Sequence, residues 1–366
     1  MEHPRGLTAT YDESRRRFLE TASLAGASIE SHPHPLTGRD GEMLAIDVAT
    51  IGPAESPSAL VIVSGTHGVE GFTGSALQHH WLEHHTGERP ADVRVVLLHA
   101  FNPYGFAWVR RVNEDNVDLN RNFVDWEQPP PANEDYGGLA HLLVPDTWDD
   151  DTQRTTTLAL LAYAEEHGFE RLQAVVSGGQ YSHPTGVFYG GTGPVWSHRW
   201  LDEHLRDLVG VATRVGIVDL HTGLGPWGHG ELISHVGRDD PGYQRGTAWW
   251  GEVRSMVDGE SVSADLSGDW LAAADEMLAD IEVTSAALEY GTVDTVSVLQ
   301  SLRADAVLHA SGDPLAEGAD AVRAQVRAAF ADDDPAWFDA VAARFDDVIG
   351  AALRELAKVP SHRDTP

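Results

Sequence analysis

The sequence predicts an α/β fold: a mixed, largely parallel central sheet flanked by helices. Three observations carry that expectation. An apolar strand-like run at 59–63, a helical stretch over 71–85 and a second apolar run at 93–98 make a β-α-β pattern. Short apolar runs return at 216–220 and 281–288, each the length of a buried strand. Neither a repeat nor a linker interrupts the 366 residues, so a single domain over 1–366 is expected, with its core at about 40–310.

Taken in order, residues 8–28 pattern as a helix and 43–49 alternate as a first strand. The run Ala59-Leu60-Val61-Ile62-Val63 is short and rich in β-branched residues. Because a helix begins at about Gly71, the residues Ser64-Gly65-Thr66-His67-Gly68-Val69-Glu70 form a strand-to-helix loop. The strand at 93–98 should lie parallel to 59–63 through a right-handed crossover. From Asn102 to about 151 the sequence is irregular and holds Pro129-Pro130-Pro131 and Asp149-Asp150-Asp151. A loop of that length inside a compact domain is functional or disordered. A helix at 153–167, a strand at 172–176, a glycine-rich segment at 177–194, a strand at 216–220 and a helix at 241–257 follow. The run at 281–288 is the last core strand, and 294–357 reads as two or three amphipathic helices.

Charge and composition narrow the function. Acidic residues number 57 against 25 basic, for a formal net charge of −32. Such a surface repels phosphate backbones and anionic membranes, so neither nucleic acid nor membrane is an expected partner. The acidity itself reads as a solubility or high-salt adaptation. A hydrophobic content of 42% and 11 tryptophans exclude a disordered chain. Cysteine is absent, which removes disulfides, thiolate zinc sites and cysteine nucleophiles, and leaves any metal to histidine and carboxylates. The N-terminal stretch 1–6 leads into a charged helix without an apolar segment of signal-peptide length. No run of about 18 apolar residues occurs. A cytoplasmic protein without a removable pro-segment is expected.

In open α/β sheets ligands bind beyond the carboxyl ends of the strands, and the polar side chains concentrate there. His67 and Glu70 are three residues apart in one tight loop, close enough to meet on a single cation. Zinc accepts an imidazole and a carboxylate together, and catalytic zinc usually takes three protein ligands and a water. His221 ends the strand at 216–220 and faces the same sheet edge. A lone histidine there is more often a packing residue, but its coincidence with His67 and Glu70 shifts the reading toward a ligand. Glu289 stands at another strand end and supplies the base that zinc hydrolysis requires. After the strand at 93–98, Arg110, Arg111, Asn120 and Arg121 suit either recognition of a carboxylate or polarisation of a carbonyl. Tyr181 and His183, in the glycine-rich segment, either line a pocket or order the loop. His79, His80, His84 and His85 share one predicted helix. His80 and His84 have a ligand-like spacing, yet no acidic motif accompanies them, and they read as a solvated face.

The motifs His67-Gly-Val-Glu70, Asn102-Pro-Tyr-Gly105, Arg111, Asp118-Leu-Asn120-Arg121-Asn122, His221 and Glu289 resemble, in that order, those of M14 zinc carboxypeptidases of the carboxypeptidase A type. Gly179-Gln180-Tyr181-Ser182-His183-Pro184 and Phe188-Tyr189-Gly190-Gly191 are further similar to the DUF2817 group of bacterial M14-like metallopeptidase relatives. The resemblance covers about residues 40–310. It implies a zinc-carboxypeptidase-like fold with one zinc per chain on His67, Glu70 and His221. It also implies Glu289 as base and then acid, Arg111 at the oxyanion, and Asn120 with Arg121 on a substrate's free carboxylate. The sequence departs from the digestive enzymes in three places. Thr66-His67-Gly68 lacks the arginine before the glutamate, the segment 177–194 is extra, and Thr222-Gly223-Leu224-Gly225 replaces a Ser-Tyr pair. Aspartoacylase and succinylglutamate desuccinylase relatives share the zinc motif and the Asn-Arg pair. An N-acyl amino acid is therefore as reasonable a substrate as a peptide. The expected function is zinc-dependent amide hydrolysis by a metal-activated water. A noncatalytic zinc protein that binds a small ligand is the competing reading, and Glu289 separates the two because a binder needs no base.

Overall fold

The computed structural model describes residues 6–263 and 266–358; the first five residues of the N-terminal stretch read above lie outside that range. One eight-stranded sheet runs in the order β1-β2-β4-β3-β5-β8-β6-β7. The strands are β1 (Ser28–Thr37), β2 (Met43–Ile51), β3 (Ser58–Ser64), β4 (Val93–His99), β5 (Arg214–Trp227), β6 (Gly230–Ser234), β7 (Arg254–Ser255) and β8 (Glu282–Gly291). The central four, β4, β3, β5 and β8, are mutually parallel, while β2 joins β4 and β6 joins β8 antiparallel. The expected β-α-β unit is present, with β3 and β4 parallel on either side of the helix Gly71–His84.

Every residue of β3 is buried because helices cover both faces of the sheet. Leu60 and Ile62 pack with Trp81, Val341 and Phe345 on one side. Val61 and Val63 alternate to the other face and meet Leu201, Leu205 and Trp270. Truncating the fully buried Phe345 to alanine is worth about 3–5 kcal/mol of stability.

Several elements differ from the sequence expectation. Residues 172–176 lie in the helix Phe169–Ser177, not in a strand. Leu172, Val175 and Val176 are its buried residues, a helical spacing that a short apolar run conceals. The first helix stops at Leu24, and the chain turns into β1, a sheet-edge strand mostly open to solvent. Pro33 and Pro35 in that strand suit an edge and gave it no strand signature. The helix expected over 241–257 ends at Trp250, where Gly251 takes φ 83°. The irregular stretch after Asn102 contains the helices Pro103–Trp108 and Tyr136–Leu143. The C-terminal part forms three helices, Thr295–Ala310, Ala319–Phe330 and Pro335–Leu356. Among the described residues, no helix is long and apolar enough to cross a membrane.

Candidate metal centre

The parallel register of β3 with β5 pairs Ser64 with Leu220, so the loop leaving β3 and His221 stand at the same end of the sheet. β8 continues the row, and His221 and Glu289 are direct partners across the β5–β8 ladder. Beyond β3 the chain turns through Gly65, at φ 71°, into the 3-10 turn Gly68–Glu70. This turn sits against the next strand-end loop without intervening side chains. A Cβ on Gly68 would stand 2.1 Å from the Gly105 carbonyl carbon. Gly68 N and Val69 N donate to Arg111 O and Arg110 O at 3.1 and 2.8 Å.

Three donor atoms converge there. His67 Nδ1 lies 2.8 Å from Glu70 Oε1, His221 Nδ1 lies 2.8 Å from Glu70 Oε2, and the two Nδ1 atoms are 3.1 Å apart. All three side chains are buried. On their far sides, His221 Nε2 is 2.6 Å from Asp219 Oδ2 and His67 Nε2 is 3.3 Å from Asp118 Oδ1. An imidazole backed by a carboxylate carries its proton on that side and turns a lone pair inward. Two inward lone pairs and a carboxylate then face one another, a repulsive set unless positive charge lies among them. Zinc at roughly 2.0–2.2 Å from such donors spaces them only slightly wider than this, so the residues fit the ion.

The electrostatics agree. Burial disfavours charge on Glu70, yet His67 and His221 hold its carboxyl well below the usual range. Burial likewise opposes charge on His221, yet Asp219 and Glu70 hold its pKa well above the ordinary histidine value. Asp219 is itself fixed by Thr66 Oγ1 at 2.8 Å and Trp270 Nε1 at 2.6 Å. Neither Asp219 nor Asp118 stood out in the sequence as a partner of a ligand. For Asp219 the signal was available, because residues two apart on a strand share a face.

Glu289 is buried, and its Oε1 accepts the Leu224 N–H at 3.0 Å. Burial first, then the charge of Glu70, pushes its pKa up to about 8. Arg111 donates from Nε to Asp118 Oδ2 at 2.9 Å and from Nη1 to Glu70 Oε1 at 3.3 Å, which sets it beside the donor cluster.

With this geometry in view, the sequence matches the family described as "Protein of unknown function (DUF2817)" over residues 7–344. The chain belongs to the DUF2817 family. No curated protein matches the sequence. Among solved structures, bovine thrombin-activatable fibrinolysis inhibitor in complex with tick carboxypeptidase inhibitor is similar at TM-score 0.51 and 10% identity, covering 96% of this chain and 98% of that one. Carboxypeptidase A from Helicoverpa armigera gives TM-score 0.48 and 13% identity over 88% of this chain and 74% of its own. A succinylglutamate desuccinylase/aspartoacylase from Rhodobacter sphaeroides gives TM-score 0.38 and 16% identity over 78% and 66%. The DUF2817 chain therefore has a carboxypeptidase-like fold.

Around that shared frame, this DUF2817 protein treats its second loop differently from what the resemblance implies. The guanidinium of Arg121, expected to be open to a substrate carboxylate, is 3% exposed and already engaged. Nη1 donates to Asn120 O at 3.0 Å and stands 4.0 Å from Asp118 Oδ1, Nη2 donates to Ser177 O at 2.5 Å, and the buried Nε has no partner. The cause is the glycine-rich segment, which lies directly on it. A Cβ at Gly179, where φ is 94°, would stand 2.7 Å from Arg121 Cδ. Phe188, at φ 54°, places its ring 5.3 Å from the Arg111 guanidinium and 5.4 Å from that of Arg121. Tyr181 donates its hydroxyl to Arg121 O at 2.6 Å, and His183 pairs with Ser182 and Gln180 within the loop. Both make contacts that hold the segment in place. Asn120 is half-buried and its side-chain oxygen has no partner. His79, read as part of a solvated face, is 2% exposed and lies beneath the first helix, 3.4 Å from Ser14 O.

Proposed function

We propose that this DUF2817 protein is a zinc-dependent hydrolase of amide bonds, acting on a C-terminal peptide bond or an N-acyl amino acid. The observation that carries the reading is the convergence of His67 Nδ1, His221 Nδ1 and the Glu70 carboxylate, with an aspartate behind each imidazole. His67, Glu70 and His221 would hold the ion. Zinc supplies Lewis acidity there, polarising a carbonyl and making water easier to deprotonate.

The chain's own residues account for the proton and the charge. Glu289 takes a proton from the attacking water and returns it to the departing nitrogen. Burial and the Glu70 charge raise its pKa and favour the protonated form that acts as the acid, while the positive charge of a bound ion would favour the ionised form that acts as the base. Arg111 directs its guanidinium at the carbonyl oxygen as that atom gains charge. The Phe188 ring covers the guanidinium face and keeps water from it, which strengthens the interaction. Asp118 and Asp219 fix the orientation of the two imidazoles. A substrate carboxylate, if present, meets the Asn120 side chain, while the Arg121 guanidinium is buried and tied to backbone carbonyls and offers no free two-pronged fork.

The test combines metal analysis with a panel of peptides and N-acyl amino acids. The expected result is bound zinc, turnover of at least one amide class, and loss of that turnover in Glu289→Gln with zinc retained. Zinc without turnover on any amide supports the small-ligand binder instead. Absence of zinc at His67, Glu70 and His221 overturns both.

A further inference from the structure

We propose a second metal site, for a zinc-class divalent ion, formed by His80, His85 and Asp346 on the outside of the fold. The sequence shows the histidines without an acidic motif that would mark a ligand set. The fold supplies the acid from the C-terminal helix Pro335–Leu356. His80 Nε2 lies 3.0 and 3.1 Å from the two oxygens of Asp346, and His85 Nε2 lies 3.3 Å from Oδ1. The three donor atoms all fall within 4.8 Å of one another.

This convergence is made by the end of a helix. Five residues along a continuous α-helix is roughly 500° of rotation, which would turn His85 about 140° away from His80. The helix Gly71–His84 stops one residue earlier, His85 takes φ −118° and ψ −2°, and its ring comes back to 5.2 Å from that of His80. The following turn, Thr86–Glu88, brings Glu88 Oε2 to 3.2 Å from His85 Nδ1. Both nitrogens of His85 thus face carboxylates. In the neutral ring a proton on Nδ1 satisfies Glu88 and leaves the Nε2 lone pair pointing at Asp346. A cation between them resolves that conflict, and the arrangement is the carboxylate-backed imidazole of metal sites. Two imidazoles and one carboxylate select zinc or its transition-metal neighbours over magnesium or calcium.

The side chains of His80, His85 and Asp346 are 19%, 24% and 31% exposed, so an ion can enter from solvent and complete its coordination with water. The helix between Glu70 and His85 is roughly 21 Å long at 1.5 Å per residue, so this ion is separate from the one proposed at His221. Its effect is to fasten the end of the Gly71–His84 helix to the C-terminal helix.

The experiment strips the full chain of metal, dialyses it against buffered zinc alone and counts bound zinc by mass spectrometry. Wild type should hold one equivalent more than His80→Gln/His85→Gln, and Asp346→Asn, which keeps both imidazoles, should lose the same equivalent. Circular dichroism checks that each variant is folded. In a His221→Ala background one equivalent should remain, and zinc should raise the Tm of that variant but not of the triple variant. If the His221 centre takes no zinc, wild type still holds one equivalent and the double variant none, so the two proposals fail separately. Equal zinc content in wild type, the double variant and Asp346→Asn overturns the surface site.

Discussion

The loop after β3 and the loop containing Asn120 and Arg121 carry motif residues of similar specificity, yet the fold uses them differently. His67 and Glu70 are placed by a seven-residue buried strand locked in register with β5, and a short turn leaves their side chains little freedom. Arg121 lies on a 3-10 turn beyond β4, and its surroundings come from segments far along the chain, chiefly Ser177, Gly179 and Phe188. Strand register settles the direction of a side chain. Loop packing settles what that side chain is left free to touch.

The sharpest way to separate the two regions is to disable one and watch the other. Glu289→Gln should lower turnover by at least about a hundredfold, as loss of general acid–base catalysis does, while zinc content stays unchanged by mass spectrometry. Arg121→Ala should act on the scaffold. Removing its buried hydrogen bonds to Asn120 O and Ser177 O should cost about 2–4 kcal/mol by urea unfolding. It should also leave the ratio of rates on a free acid and its amide unaltered. A selective loss on the free acid would return Arg121 to substrate recognition.

Metal removal is next in size. Any zinc at His67, Glu70 and His221 binds only the folded chain's assembled site, so free zinc at a hundred times Kd should add about 2.7 kcal/mol. A chelator should therefore lower Tm in a His80→Gln/His85→Gln chain and have no such effect once His221→Ala is added to it.

A pH-dependent effect distinguishes the site histidines from those of the scaffold. His99 is fully buried, donates to or accepts from Ser75 Oγ at 3.0 Å, and stacks on Phe18 at 4.5 Å. Burial lowers its pKa to about 4. A base with a depressed folded pKa binds fewer protons folded than unfolded, so its contribution is complete above the unfolded value of about 6.5 and declines as pH falls toward the folded value. Stability of metal-free protein should fall through that window, and His99→Gln should flatten the slope if it folds. An unchanged slope would mean His99 charges without penalty.

Much of this was legible in advance. The β-α-β unit, the parallel centre and the cluster of His67, Glu70, His221 and Glu289 at strand ends follow from short apolar runs and what immediately succeeds them. The helix at Phe169–Ser177 was not, because five consecutive residues with four apolar side chains do not separate a strand from a helix. Edge strand β1 was not, because an exposed strand has no apolar face to announce it. The occupation of Arg121 and the approach of Asp346 to His80 both depend on contacts across long sequence separations, and local pattern contains no information about them.

The proposed hydrolysis depends on zinc held by His67, Glu70 and His221. That binding is tested most directly in a His80→Gln/His85→Gln chain, where the surface cluster cannot contribute. Stripped, reloaded with zinc and dialysed, that chain should retain one equivalent, and adding His221→Ala should remove it. Retention of no zinc, or of the same zinc after His221→Ala, would contradict the account.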